Sequence, residues 1–405
     1  MATPRSVRYL NEIRALNVLF RRGGTSRAEL ARVLGLNRST TGNIVANLAA
    51  DGLVVERRDA ARSLAEARSG RPGIVVELDP DGATFLGAEI GVDRLCVVAM
   101  DMAAREIRRG SVAFAAGDAT PEASIARLAE LVRDVVAALR APERIRGLCV
   151  TIPALLARGG IVRNALTLGW RDVPLEALLR RAVAIDVPLL IENDANAFAI
   201  AETYRGVSER ADAVAFLLIH NGAGGGIVVG GRLMRGSHGV AGEFGQLPVG
   251  DKGFAPGRQQ PGHLESLVGK DAVVARYRLQ CGDATAGLDA LLAALHRGDA
   301  AAFRTAAEWG AHLAKGLLQI TNVLNPGLII LGGSVAPIFP FVSALVEDAM
   351  RRELIEGYPM PTIELSTLGP EGSALGGAAL LHQKLFSVDE SVLYPHARPV
   401  RLFAA

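Results

Sequence analysis

Residues 213–233, AVAFLLIHNGAGGGIVVGGRL, read as two apolar strands joined by a glycine-rich turn, and residues 84–100, TFLGAEIGVDRLCVVAM, repeat that form with a turn at Val92–Arg94. A strand-turn-strand unit that occurs near residue 90 and again near 220 predicts two similar lobes facing each other across a cleft. Function in such an architecture is expected in the cleft. Between the two units, LCVTIP (148–153) and VPLLIEN (187–193) read as buried strands. Thr120 and Pro121 start an amphipathic helix that carries Ile125, Leu128, Leu131, Val132, Val135 and Leu139 at helical spacing.

Ahead of these lobes the chain changes character. Residues 1–75 hold 13 Arg, no Lys and six acids, a net of +7, so with +2 over the whole chain the remainder carries −5. A basic head on a mildly acidic body points to an anionic partner for the head. Ile13, Leu16, Val18 and Leu19 recur at helical spacing. SRAE at 26–29 matches a capping box, Gly35 ends the helix it opens, and Asn37 or Ser39 caps a second helix with Ile44, Val45 and Leu48 facing inward. Two short helices around a Gly-bearing turn make a helix-turn-helix. The strand-like runs LVVERR (53–58) and SGRPGIVVEL (69–78) follow as a wing. The second helix of such a unit enters the DNA major groove. Arg38, Ser39, Thr40, Thr41 and Asn43 are expected on its exposed face, with Arg57, Arg58, Arg62, Arg68 and Arg71 flanking it on the wing. The competing reading is a helical adaptor with a solvated basic face.

Bulk composition excludes other classes. The chain has 405 residues, half of them apolar, enough for two or three domains. No apolar run approaches the ~18 residues of a membrane span, and the first residues lack the apolar stretch of a secretory signal. A soluble, cytoplasmic protein with no membrane partner is expected. Cys96, Cys149 and Cys281 are scattered, which fits neither a disulfide framework nor a C-x-x-C metal site and predicts buried, reduced thiols.

Three ordered stretches, IENDANAFAIAE (191–202), NGAGGGIVVGGRLMRGSHGVAGEFGQ (221–246) and LNPGLIILGGSVA (324–336), resemble the ROK family of sugar kinases and transcriptional repressors. With a winged helix in front, the whole chain is similar to the repressor branch, which includes the N-acetylglucosamine and xylose repressors. The resemblance implies an α/β protein: an α-rich winged-helix head at residues 1–80, and a two-lobed, actin-like (RNase H-like) body at 81–405. It places the lobe boundary near residue 192 and returns the C-terminal helix to the first lobe. It also implies operator DNA and a sugar or sugar-phosphate effector as partners, and an assembly of two or four copies.

Residue by residue, the resemblance puts Asn193 and Asp194 on the family's N-D pair, Asp194 at the place of the kinases' base, and Glu243 and Glu265 on its other sugar-binding acids. Thr167, where Asn is frequent, and Gln246, in place of a His, depart from the pattern and bear on which sugar is bound. The family's zinc loop is also altered: Gln246 takes the place of its His, and Pro256, Arg258 and His263 take the places of its three Cys. One His and a Gln cannot replace thiolates in a tetrahedral site, so no zinc is expected. Pro256, Pro261 and local hydrogen bonds are the candidates for holding that loop. The phosphate loops differ as well, with Val92 and Asp93 for Gly and Thr in D-x-G-G-T, and His220-Asn221-Gly222 for G-T-G. Negative charge there opposes phosphate, so no catalytic residue and no cofactor is expected. An ATP-dependent carbohydrate kinase of the same family remains the alternative. Plainer roles stand beside these: Asn193-Asp194 as a helix cap, Glu265 as a first-turn acid, and His263, His220 and His238 as packing or surface residues.

Overall fold

The computed structural model describes residues 4–58, 74–250 and 259–388. Its N-terminal part is a winged helix: α1 (Pro4–Arg22), β1 (Thr25–Ser26), α2 (Arg27–Leu34), α3 (Arg38–Ala50), β2 (Val54–Arg58) and β3 (Ile74–Leu78), with strand order β1-β3-β2. Local chemistry sets the helix ends. The Glu29 amide donates to Ser26 Oγ at 3.1 Å, and Gly35 closes α2 at φ 69°, a left-handed conformation that glycine adopts without strain. Asn37, not Ser39, caps α3, accepting from the Thr40 amide at 2.8 Å. Leu16, Leu30, Ile44, Val45 and Leu48 are buried between the helices.

Each lobe is built on a five-stranded sheet. In the first, β4 (Thr84–Ile90), β5 (Arg94–Asp101) and β6 (Glu106–Ala113) form an antiparallel meander that α4 (Pro121–Ala137) packs against. β7 (Ile145–Ile152) adds in parallel to β4. A small sheet of β8 (Leu155–Ala157), β9 (Ile161–Ala165) and β10 (Trp170–Val173) and helix α5 (Leu175–Ala182) then precede β11 (Leu189–Asn193), which adds in parallel to β7. Helix α6 (Asp194–Tyr204) leads into the second lobe. There β12 (Ala213–Ile219), β13 (Ala223–Val229), β14 (Arg232–Leu233), β15 (Leu328–Gly332) and β16 (Thr362–Leu365) repeat the same pairings, in the order β14-β13-β12-β15-β16. Helices α7 (Leu264–Val268), α8 (Lys270–Cys281), α9 (Leu288–His296) and α10 (Ala300–Leu324) lie between β14 and β15, and α11 (Ser343–Glu353) precedes β16. The last helix is α12 (Gly372–Leu385).

The lobes exchange helices. α6 leaves the last strand of the first sheet and packs on β12 and β13, while α12 leaves the last strand of the second sheet and packs on β4, β5 and β7. The two helices cross each other so closely that a Cβ at Gly376 would overlap the Ala197 carbonyl, and α12 lies so close to β4 that a Cβ at Gly87 would overlap the Ala374 carbonyl. Only hydrogen fits at either position.

The head rests on the end of this crossing. Phe20 of α1 lies 4.9 Å from the His382 ring and 5.2 Å from Phe386, with Tyr204 and Phe85 completing the cluster. His382 is fully buried, its Nε2 3.1 Å from the Met102 carbonyl and its Nδ1 3.2 Å from the Tyr204 hydroxyl. A carbonyl only accepts, so Nε2 carries the proton and Nδ1 accepts from Tyr204. Burial pushes the imidazole down to about 4, which keeps it neutral. Asn17 Nδ2 adds a bond of 2.7 Å to the Phe386 carbonyl.

Cys96 and Cys149 are buried free thiols, whereas Cys281 is half-exposed, against the expectation that all three are buried. No helix among the described residues is long and apolar enough to cross a membrane.

Replacing Gly376 with Ala is expected to lower unfolding free energy by about 1–3 kcal/mol through overpacking of backbone on backbone. Gly287→Ala, where a Cβ meets open space, should stay within about 0.5 kcal/mol of the parent. Urea unfolding midpoints check both; equal midpoints for the two variants would refute the close crossing.

Candidate ligand cleft and DNA-facing surface

A cavity of about 920 Å³ opens between the lobes, and Asn193, Asp194, Glu243, Gln246, Glu265 and Thr167 all line it. The β11–α6 junction delivers the first two. Asn193 Oδ1 accepts from the amides of Ala195 (2.9 Å) and Asn196 (3.1 Å), so it is the cap of α6, and capping turns Asp194 into the first helical residue at the cleft wall. Burial raises Asp194 to about 7, against the Ala195 amide, which favours the charged form. Glu243 also rises to about 7, through burial and then the neighbouring Glu265, and Glu265 is raised by burial. Thr167 Oγ1 is buried with no hydrogen-bond partner among the described residues. Crowded carboxylates that desolvation pushes toward the neutral form favour ligands that donate hydrogen bonds and carry no negative charge.

The segment between Glu243 and Ser266 is held where its two described ends meet. The Val249 amide donates to the Gly262 carbonyl at 3.0 Å and the Leu264 amide to the Leu247 carbonyl at 2.8 Å. Gln319 Nε2 ties Pro248 to α10 at 2.8 Å. Across this stem, Gln246 Nε2 donates to Glu265 Oε1 at 2.7 Å, and Gln246 Oε1 lies 3.2 Å from His263 Nδ1. Pro256 and Arg258 lie outside the described residues and Pro261 is exposed, so local hydrogen bonds hold the described part of the stem.

The other half of the cavity carries two cations that the sequence did not single out, Arg94 and Lys270. Arg94 pairs with Glu89 at 2.8 Å and also donates to the Pro370 carbonyl, linking the first hairpin to the approach of α12. Lys270, at the start of α8, reaches across the cleft to Asp93 at 2.6 Å. Glu89 rises to about 7 because burial outweighs the guanidinium. His220 is pushed down to about 4 by burial; its Nδ1 is 3.1 Å from the Ser334 amide and accepts from it. Lys270 had one legible signal: it is one of only four lysines, with Lys252, Lys315 and Lys384.

On the head, Arg38, Ser39 and Asn43 are exposed along α3 and Thr40 is half-exposed. Thr41 is not on that face. It is fully buried, and its hydroxyl donates to the Asn37 carbonyl at 3.1 Å. The expectation erred because Thr41 is three residues before Ile44 and four before Val45, and so shares their inward face. Arg57 is exposed on the wing and pairs with Glu77 at 2.7 Å. The backbone of Arg58 ends β2, while Arg62, Arg68 and Arg71 lie outside the described residues.

Residues 85–384 match the ROK family model. The chain belongs to the ROK family. Residues 9–62 match the model of the MarR family, so a MarR-type winged helix precedes the ROK body. A xylose repressor of Caldicellulosiruptor bescii is 24% identical over 401 residues, covering 95% of this chain and 98% of its own. A solved ROK family transcriptional regulator, a homologue of the E. coli Mlc protein, superposes with a TM-score of 0.76 at 22% identity, over 94% of this chain and 97% of that one. A ROK glucokinase from Streptomyces griseus, solved with glucose and AMPPNP, superposes with a TM-score of 0.66 at 25% identity over 74% of this chain and 100% of its own. Both lobes of the ROK body are therefore actin-like α/β units.

The raised carboxylates of this ROK cleft have a stability signature. Glu89, Asp194 and Glu243 hold protons in the folded state that the unfolded chain releases. Their contribution is complete below about pH 4 and is lost as pH rises through about 7. Glu243→Gln cannot lose that proton, so its stability relative to the parent is expected to increase between about pH 5 and pH 8. Urea unfolding across that range tests the sign, and a difference independent of pH would contradict the raised carboxyl.

Proposed function

We propose that this chain is a sugar-responsive DNA-binding repressor in which residues 1–80 read operator DNA and residues 81–405 sense the sugar. The observation that carries this reading is the shared frame of head and cleft. Helices α6 and α12 begin at the cavity, with Asp194 on one and Gly372 and Ser373 on the other, and their far ends carry Tyr204 and His382 to Phe20 of the head. Likeness to xylose repressors along nearly the full chain supports it. In this reading Asn193, Asp194, Glu243, Glu265, Thr167 and Gln246 hold the hydroxyls. Arg38, Ser39, Thr40 and Asn43 meet the major groove, and Arg57, Arg58 and Arg71 meet phosphates from the wing. Two copies bind two half-sites of one operator in the cytoplasm.

The kinase alternative is disfavoured by charge. Phosphoryl transfer depends on positioning and neutralising phosphates. Here Asp93 adds a carboxylate at the first phosphate loop and occupies Lys270, the cation nearest to it across the cleft. Asp194 would then have a sugar beside it but no phosphoryl donor.

Arg38→Ala or Asn43→Ala should weaken binding to a selected operator by about 1–3 kcal/mol, and affinity should fall steeply with salt as phosphate contacts release counterions. A free pentose or hexose should loosen operator binding by about 1–3 kcal/mol of coupling, and Glu243→Ala should remove that response. Fluorescence anisotropy on operator DNA with D-xylose, D-glucose and N-acetyl-D-glucosamine measures both. Salt-independent binding without an enriched site, or ATP-dependent turnover of any of these sugars, would overturn the reading.

A further inference from the structure

The zinc that the family's loop implies does not fit the residues present. Both ends of the Gln246 side chain are engaged, Nε2 by Glu265 and Oε1 by His263. His263 is thus the one nitrogen ligand left at the loop's base, and a tetrahedral site needs four thiolate, imidazole or carboxylate donors. Among the described residues no three His, Cys, Asp or Glu are grouped to hold a metal.

What stands there is a directed chain of hydrogen bonds. A carboxylate accepts only, so the Gln246 amide must turn its NH2 to Glu265 and its oxygen to His263. His263 Nδ1 therefore carries a hydrogen and donates. The His263 backbone is fixed by the stem, where it bridges to Pro248 and its carbonyl accepts from Ser266 Oγ at 2.8 Å. Glu265, only 6% exposed, is thereby held on one side by Gln246, while its other oxygen lies close to Gly222 at the cavity wall.

We propose that His263 is a positioning residue for the cleft: through Gln246 it fixes the orientation of the Glu265 carboxylate, and so takes over without metal the task of holding the loop and the ligand-binding acid together. The proposal rests on the reading of the cleft as a sugar site. Without the His263 donor the Gln246 oxygen is left without that partner, the amide is anchored only through its Nε2 bond to Glu265, and the Glu265 carboxylate keeps the Ala223 amide as a fixed donor. Held less firmly on the Gln246 side, that carboxylate then accepts a ligand hydroxyl from a less fixed direction. Removing a partner one step behind a metal ligand typically changes affinity by about 10- to 100-fold, and an effect of that order is expected for the sugar here.

The test uses the full chain stripped with EDTA. His263→Ala should weaken binding of whichever of D-xylose, D-glucose and N-acetyl-D-glucosamine the parent binds by about 10- to 100-fold in calorimetry. His263→Asn, which can place an N–H near the same point, should restore most of it, and Gln246→Glu, which faces Glu265 with a second carboxylate, should not bind. A readout without ligand accompanies these: the Gln246 side-chain amide hydrogens, followed by nitrogen-15 NMR, should exchange with water faster in His263→Ala than in the parent or His263→Asn. Unchanged amide exchange in His263→Ala overturns the proposal even if no sugar binds, an outcome that by itself counts against the sugar-sensing reading instead. Equal sugar affinity in His263→Ala and the parent, or a stoichiometric zinc whose removal abolishes the amide protection, overturns it as well.

Discussion

The contact of Gly376 with the Ala197 carbonyl is the constraint on which the rest of the molecule hangs. Two helices approach this closely only where one of them lacks a side chain, and here the pair that does so are those exchanged between the lobes. Each starts at the cleft and ends beneath the head. Because packed interiors resist compression, a rotation of one lobe about this crossing would be transmitted in part to the far helix ends. Those ends carry Tyr204 and His382, and α1 rests on both. The second connection is covalent: β3 ends at Leu78 and β4 begins at Thr84, so the wing and the first cleft strand are five residues apart.

Electrostatics divides the cleft into halves with different uses. At one end of the cleft Asp194, Glu243 and Glu265 lie near one another, Glu265 buried and the other two half-buried, and desolvation raises all three, a state that hydroxyl donors relieve and phosphates aggravate. On the other side each charge already has a protein partner, Glu89 with Arg94 and Asp93 with Lys270. The Asp93 pair joins one lobe to the other. The same cavity is thus receptive at one end and self-satisfied at the other.

Much of this was legible in the residues. The doubled hairpin announced two lobes because apolar strands around a glycine turn have few other uses. Ser26, Gly35 and Asn37 announced the helix-turn-helix because capping depends on residues three or four apart. Asn193-Asp194 was read both as a cap and as a ligand pair, and in the structure the capping residue sets its neighbour at the cleft wall. Thr41 was misread because a helix face was assigned from neighbours on one side only. Lys270, Arg94 and the Gln246–His263 contact were missed because each reaches beyond the range of helix or strand periodicity, 17 residues for Gln246 and His263, 177 for Lys270 and Asp93 and 276 for Arg94 and Pro370.

The sequence by itself determined the family, the order of elements, the basic head and the acids of the cleft, since these follow from periodicity, capping and charge within short windows. Tertiary structure alone decided which charges are spent on each other, how the altered loop is held, and that the head stands on the ends of the two crossing helices. The physical reason is one of range: propensity and capping act over three or four residues, whereas burial, desolvation and ion pairing depend on what the folded chain brings within a few ångströms.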